Sequence, residues 1–297
     1  MNKIRELICF INIVPGKCRA FFILCSMSFV CYNGVFQPVD QPCLLVNNRS
    51  YKWGDGVFET IKVFKGRILL QSFHFERLLT SLQLLQMQPQ FTLLELESHI
   101  LALCVRNNCA DLARVRLAVY RDEENTAGYT IEAIKLDQQS MNWNQIGLKV
   151  AIYPNARKAC DVWANIKTAN YLPYVMAARY AEEQGVNECF LLNSFNHICD
   201  ASKANVFIIK GRTLYAPALD QGCINGVMRR FLLAEVKKHG WVVEQTALTE
   251  TMLLQADECF LTNAIQGIRW VGAYGEKMFA SNLTKQIFDT LQPAYLY

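Results

Sequence analysis

The chain has 297 residues, 52% of them hydrophobic and 19% charged, enough for one large domain or two ordinary ones. With only 15 glycines and 8 prolines, that apolar fraction excludes a disordered or fibrous protein. Net charge is +4 from 30 basic and 26 acidic residues with no block of five like charges, so no nucleic-acid partner is expected.

Residues 1–26 differ in character from the rest of the chain: two apolar stretches flank Lys17 and Arg19. Neither reaches the roughly 18 uninterrupted apolar residues of a membrane helix, so no membrane partner is expected. Met27 reads as the natural start, with residues 1–26 an extra segment. Phe29 to Tyr32 and Val35 to Pro38 flank Asn33-Gly34, a strong short hairpin signal. A strand is expected from Val57 to Phe64, turning at Lys65-Gly66-Arg67 into a second from Ile68 to Ser72. Leucines at 78, 79, 82 and 85 predict a helix over Phe75 to Gln86. Thr92 and Glu95 form a capping box ahead of the next helix. Arg114 to Tyr120 and Thr130 to Leu136 alternate as strands. The polar stretch 137–147 reads as a linker between a small α/β domain, 27–136, and a larger one, 148–297.

The second half opens with a strand, Leu148 to Tyr153. Tyr171 to Glu183 is expected to be helical, with Pro173 in its first turn and Gly185 beyond its end. Short strands come next from Glu188 to Ala216, then a helix from Gly226 to Lys238 and strands at Trp241 to Thr246, Cys259 to Thr262 and Trp270 to Tyr274. Ser281 caps a final helix. Twelve cysteines form no C-x-x-C pair and the four histidines no metal spacing. The expectation is reduced thiols in a cytoplasmic protein, without a metal site.

Four segments look functional together. Lys167 stands at the break between an extended segment and a helix, where a lysine is ordinarily a solvated turn residue. Asp200 ends a strand, the usual place of a turn former. Arg77 on a helix reads most simply as a surface residue paired with an acid. The loop Asp220 to Gly226 leads glycine-first into a helix, whose free N–H groups suit an anion. Jointly they offer an amine, a carboxylate, an arginine and an anion seat, the set that pyridoxal phosphate demands.

In order and spacing, the chain from about Tyr32 to Tyr274 resembles the class IV (fold type IV) pyridoxal-phosphate aminotransferase family. That family includes branched-chain and D-amino acid aminotransferases and 4-amino-4-deoxychorismate lyase. The resemblance rests on Gly54-Asp-Gly-Val-Phe-Glu-Thr60, His74-x-x-Arg77-Leu78, Lys167-x-x-Asn170-Tyr171, Asp200-Ala-Ser-x-x-Asn205-Val-Phe207, Gly226-Val-Met-Arg229 and Thr262-Asn263-Ala264. It implies a mixed α/β, two-domain fold of the D-amino acid aminotransferase type, pyridoxal 5'-phosphate as cofactor, and a homodimer. By the same resemblance Lys167 is the Schiff-base lysine, with Tyr171 on the cofactor's phenolic oxygen and Asp200 against its ring nitrogen. Arg77, Val227, Met228, Asn263 and Ala264 would meet the phosphate, and Phe58 and Tyr129 the substrate. Asp200 departs from the glutamate usual at that position.

Leu219-Asp-Gln221 with Asn225-Gly-Val-Met-Arg229 is similar to the loop of the family's 4-amino-4-deoxychorismate lyases, which release 4-aminobenzoate and pyruvate for folate biosynthesis. A branched-chain or D-amino acid aminotransferase is the alternative, and a non-catalytic member of the scaffold ranks behind both. The stretch after Arg121 lacks the Arg-x-His of D-amino acid enzymes, and Ala127 replaces the arginine that precedes Gly-Tyr in lyases.

Overall fold

The computed structural model describes residues 28–122 and 125–296. The expectations for residues 1–26 and the Met27 start lie outside them.

The first sheet has seven strands: β1 (Phe29–Tyr32), β2 (Val35–Pro38), β3 (Gly56–Phe64), β4 (Arg67–Ile68), β5 (Gln88–Pro89), β6 (Leu112–Arg121) and β7 (Thr126–Lys135). Its path is β2-β1-β7-β6-β3-β4, with β5 alongside β7. The β1–β2 turn sets Asn33 at φ 46° and Gly34 at φ 85°, the left-handed pair that a tight two-residue hairpin requires. Helices α1 (Arg49–Trp53), α2 (Gln71–Leu84) and α3 (Leu93–Arg106) belong to the same half. The Thr92–Glu95 capping box forms as expected. A strand from Ile68 to Ser72 does not: Leu70 takes a left-handed backbone, φ 52°, and α2 starts one residue later.

Period-2 alternation divides β3. Val57, Ile61 and Val63 join Leu96, Ile100 and Leu103 of α3 in a closed core, each large aliphatic contributing roughly 1.5–3 kcal/mol over exposure. Phe58, Thr60 and Lys62 alternate onto the opposite side. There Phe58 meets Tyr171, and the Lys62 ammonium meets Met141.

The second sheet has nine strands: β8 (Leu148–Lys158), β9 (Glu188–Asn193), β10 (Ile198–Ala201), β11 (Asn205–Lys210), β12 (Thr213–Pro217), β13 (Val242–Thr246), β14 (Glu258–Asn263), β15 (Gly267–Tyr274) and β16 (Lys277–Met278). The path runs β10-β9-β8-β15-β14-β11-β12-β13, with β16 beside β15. β9 is buried along its length, and β11 and β14 are buried in all but their last residues, Lys210 and Asn263, as strands covered on both faces must be. Helices α4 (Leu172–Glu183), α5 (Val227–Lys238), α6 (Glu250–Gln255) and α7 (Asn282–Leu296) complete the chain. Met228, Phe231 and Leu232 of α5 pack with Ile287, Phe288 and Leu291 of α7; Tyr174, Ala177 and Ala181 of α4 pack with Cys189 and Leu191.

The stretch 137–147 carries a short 3-10 turn, Gln138–Met141. Trp143 stacks at 6.4 Å on Trp270, and Arg269 donates to the carbonyls of Ser140 and Asn142.

The two sheets meet through main chain. Phe58 N–H donates to the Lys167 carbonyl at 2.9 Å, Ala169 N–H donates to Gly56 at 2.8 Å, and Val57 bridges Thr168. Residues 167–169 thus run as an added strand along the start of β3.

Candidate active site

That pairing aims Lys167 at the outer face of β3. Its Nζ lies 4.8 Å from the Phe58 ring centre and 6.0 Å from that of Tyr171. Burial pushes the ammonium down to about 7, and Arg77, Arg116 and Arg114 add to the effect against the pull of Glu59. Near neutral pH a large share of this lysine is therefore free amine, the form that attacks a carbonyl.

Arg77 is 8% exposed, so it is no surface residue. Its Nε and Nη2 donate to Glu59 at 2.8 and 2.6 Å, and Nη1 reaches the Asn225 carbonyl at 3.2 Å. His74 Nδ1 adds a contact to Glu59 at 2.6 Å. Burial raises the proton affinity of Glu59, but Arg77 and His74 outweigh it and hold the carboxyl at about 2. Burial also lowers His74, favouring its neutral form, in which Nδ1 donates to the glutamate.

Asn225 leads into α5, whose N-cap is Gly226 and which has no side-chain cap. A Cβ on Gly226 would lie 1.8 Å from Asn205 Oδ1, so only glycine fits there. Val227 and Met228 are each 2% exposed, which leaves the positive end of the helix dipole buried and uncapped. Thr262, opposite Asn205 in the β11–β14 ladder, has a buried hydroxyl without a partner among the described residues. Its neighbour Asn263 ends β14, and its Oδ1 accepts from the main chain of Ile265 and Gln266 to close the turn through Ala264.

Asp200, 1% exposed on β10, accepts four bonds: from Lys158 Nζ at 2.9 Å, Tyr174 Oη at 2.7 Å, Ile224 N at 3.0 Å and Asn205 Nδ2 at 2.8 Å. Tyr171 stacks on Tyr174 at 4.2 Å and abuts Phe58 edge-on at 5.1 Å. Burial, then the charge of Asp200, raises its phenol, so it stays protonated. A cavity of about 400 Å³ opens beside Lys158, Trp163, Asn170, Tyr171, Tyr174 and Ile224. Lys167 is not among its lining residues; its amine lies on the Phe58 side.

The chain therefore brings Lys167, Arg77, Tyr171, Phe58, Asp200 and the α5 start around one region. Tyr129 is a correction. It sits on the core side of β7, where its hydroxyl bonds His99 Nδ1 at 2.9 Å and its ring meets Phe91 at 5.1 Å, so it does not line the cleft.

Residues 56–274 match the profile of the amino-transferase class IV family. The chain belongs to that family. This class IV protein is 27% identical over 244 residues to the aminodeoxychorismate lyase of Bacillus subtilis (strain 168), spanning 78% of this chain and 82% of that protein. It is 26% identical over 230 residues to the D-alanine aminotransferase of Listeria monocytogenes serotype 4b, spanning 73% and 78%. In fold it matches the branched-chain aminotransferase of Thermoproteus uzoniensis with TM-score 0.83 at 22% identity, over 91% and 95% of the two chains. Class IV members are pyridoxal-phosphate enzymes, so this chain is one by family.

The residues present fit that cofactor. An amine lowered to about 7, a buried uncapped helix start and an orphaned threonine hydroxyl answer its aldehyde and phosphate. Sequence reasoning singled out none of Arg116, Lys158 and Tyr174, and it quoted Glu59 and Thr262 only within motifs, without a role of their own. Glu59 had a readable signal, a carboxylate in register with the core-facing Val57 and Ile61.

Proposed function

We propose that this class IV enzyme is a 4-amino-4-deoxychorismate lyase, forming 4-aminobenzoate and pyruvate for folate biosynthesis. One observation carries the reading: Arg116 lies over Phe58, its Cζ 4.0 Å from the same ring centre that Lys167 Nζ approaches at 4.8 Å. Arg114 stands two residues away on that face of β6, with Glu132 opposite Arg116 as a counter-charge. A cationic face beside the reactive amine suits a substrate with two carboxylates, which the missing arginine at Ala127 leaves in need of partners.

When bound, pyridoxal phosphate supplies an electron sink for the carbon that carries the substrate nitrogen. Lys167 would hold the cofactor's aldehyde carbon through Nζ and, once freed by the substrate amine, would take the proton from the substrate carbon that carries the nitrogen. Loss of that proton and of the enolpyruvyl oxygen would leave an aromatic ring, and the lysine would return the proton to the methylene carbon of the departing enolpyruvate, which becomes pyruvate. Arg77, Thr262 and the amides of Val227 and Met228 hold the phosphate, with the main chain of Asn263 and Ala264 beside them. Asp200 serves the ring nitrogen, and Tyr171 the phenolic oxygen. Phe58 and Tyr171 wall the amine from water. Arg116 receives a carboxylate.

A second reading, an amino acid aminotransferase, draws on the same basic face, since glutamate as amino donor also brings two carboxylates. The D-amino acid form is disfavoured, because the stretch after Arg121 lacks the Arg-x-His of D-amino acid enzymes. A homodimer is part of the reading, supported by the exposed apolar side chains of Tyr51, Trp53, Leu172 and Val175. A cytoplasmic setting is supported by nine unpaired cysteines among the described residues. No helix among the described residues is long and apolar enough to cross a membrane.

The deciding experiment gives pyridoxal-loaded protein fresh 4-amino-4-deoxychorismate, with Lys167→Ala beside it. Lysine-dependent release of 4-aminobenzoate with pyruvate is the expected result. No product, together with spectral change on adding L-leucine or L-glutamate, would make the enzyme a transaminase.

A further inference from the structure

We infer that Lys158 is a positioning residue for the cofactor's ring nitrogen: it occupies one oxygen of Asp200 and so reserves the other for that nitrogen. The inference rests on the cofactor reading of Asp200 and not on the choice between lyase and transaminase.

Asp200 shares its donors unevenly. Oδ2 takes the Lys158 ammonium at 2.9 Å, the Tyr174 hydroxyl at 2.7 Å and the Ile224 amide at 3.0 Å. Oδ1 takes Asn205 Nδ2 at 2.8 Å and, among the described residues, nothing else. A carboxylate oxygen accommodates about two donors, so Oδ2 is saturated while Oδ1 retains an acceptor direction. An aspartate is one methylene shorter than glutamate and reaches less far, which makes its aim decisive. Three donors on Oδ2 also oppose the rotation that would exchange the two oxygens.

Charge gives the second half of the argument. The Asp200 side chain is 2% exposed, and a buried charge needs a charged partner as well as hydrogen bonds. Lys158 supplies that partner, a full positive charge 2.9 Å from Oδ2. The lysine is itself fixed, with its side chain 9% exposed, its Nζ 5.0 Å from the Tyr174 ring centre and its carbonyl accepting from Ser194 N at 3.1 Å. Burial works against its charge, but Asp200 more than compensates and holds the ammonium. Lys158, Tyr174 and Ile224, all three donors to Oδ2, also line the 400 Å³ cavity, so the clamp borders open space and not only packed core.

The test measures equilibrium binding of pyridoxal 5'-phosphate and of its 1-deaza analogue, in which carbon replaces the ring nitrogen. Wild-type protein is expected to prefer the natural cofactor roughly 10- to 100-fold, the worth of a charged hydrogen bond. Lys158→Met removes most of that preference while still binding the analogue, which shows that the variant is folded. Lys158→Arg restores the preference, and Lys158→Met adds nothing further in an Asp200→Asn background. A Lys158→Met protein that weakens both ligands equally, or keeps the full preference, overturns the inference and leaves the cofactor reading intact. Wild-type protein that binds neither ligand removes both.

Discussion

Arg77 grips Glu59 with two parallel N–H donors, Nε on Oε1 at 2.8 Å and Nη2 on Oε2 at 2.6 Å. The fork fixes the guanidinium plane and turns Nη1 toward Asn225, at the mouth of α5. Glu59→Gln leaves a buried guanidinium half-paired, a loss of about 3–5 kcal/mol in comparable buried pairs. The expected outcome is a lower melting temperature together with weaker cofactor binding. The pH dependence has a definite sign. A carboxyl held at about 2 stabilises the fold fully above its ordinary value of 4.5, and that contribution fades as pH falls from there toward 2. Denaturant titrations in that window should show wild type losing more stability than Glu59→Gln; equal losses would contradict the pairing.

Lys167 carries its own pH signature. With its ammonium at about 7, capture of pyridoxal phosphate by apoprotein should speed up as pH rises through neutrality and then level off. Borohydride should fix the cofactor to wild type and not to Lys167→Ala, whose turnover is expected to fall at least about a thousandfold. Arg116→Met removes one of the cations that depress the lysine, so its capture curve should move to higher pH. A wild-type midpoint near 10 would show the lysine to be unperturbed.

Arg116→Met also separates substrate from cofactor. Loss of one charged hydrogen bond should raise KM for a doubly carboxylated substrate about 10- to 100-fold. Cofactor affinity should stay within a factor of a few. A variant that loses cofactor and leaves KM unchanged would place Arg116 on the wrong ligand.

Lys62 is 1% exposed and meets the Met141 sulfur at 3.2 Å. Burial, aided by Arg269, lowers its ammonium to about 8. A lysine lowered in the fold destabilises it wherever the unfolded chain binds the proton more tightly. The penalty is full below pH 8 and disappears as pH approaches 10.5. Lys62→Met should therefore stabilise the protein at pH 7 by up to about 3 kcal/mol. Urea denaturation at several pH values checks it, and a gain that grows with pH would refute it.

Legibility in the sequence tracked the range of the forces involved. Lys167, Asp200 and Arg77 were visible because motifs keep their order, and α3 because Thr92 and Glu95 announce its start. Helices α1 and α6, of five and six residues, are too short to display a period and went unread. The left-handed turn at Leu70 has no compositional mark, since leucine rarely adopts it. Tyr129 was misplaced because an aromatic reads the same on either face of a strand; its β7 neighbours Ala127 and Ile131 give the buried face once the register is known. Lys158 and Asp200 lie 42 residues apart, and only the β8-β9-β10 order brings them together.

The main-chain bonds from Phe58 to Lys167 and from Ala169 to Gly56 have a mechanical consequence. They sew the reactive lysine to the edge of the opposite sheet, so the two halves cannot part at that seam without carrying the amine along. The spacing of the lysine to Phe58 is thereby set by main chain and not by side-chain packing alone.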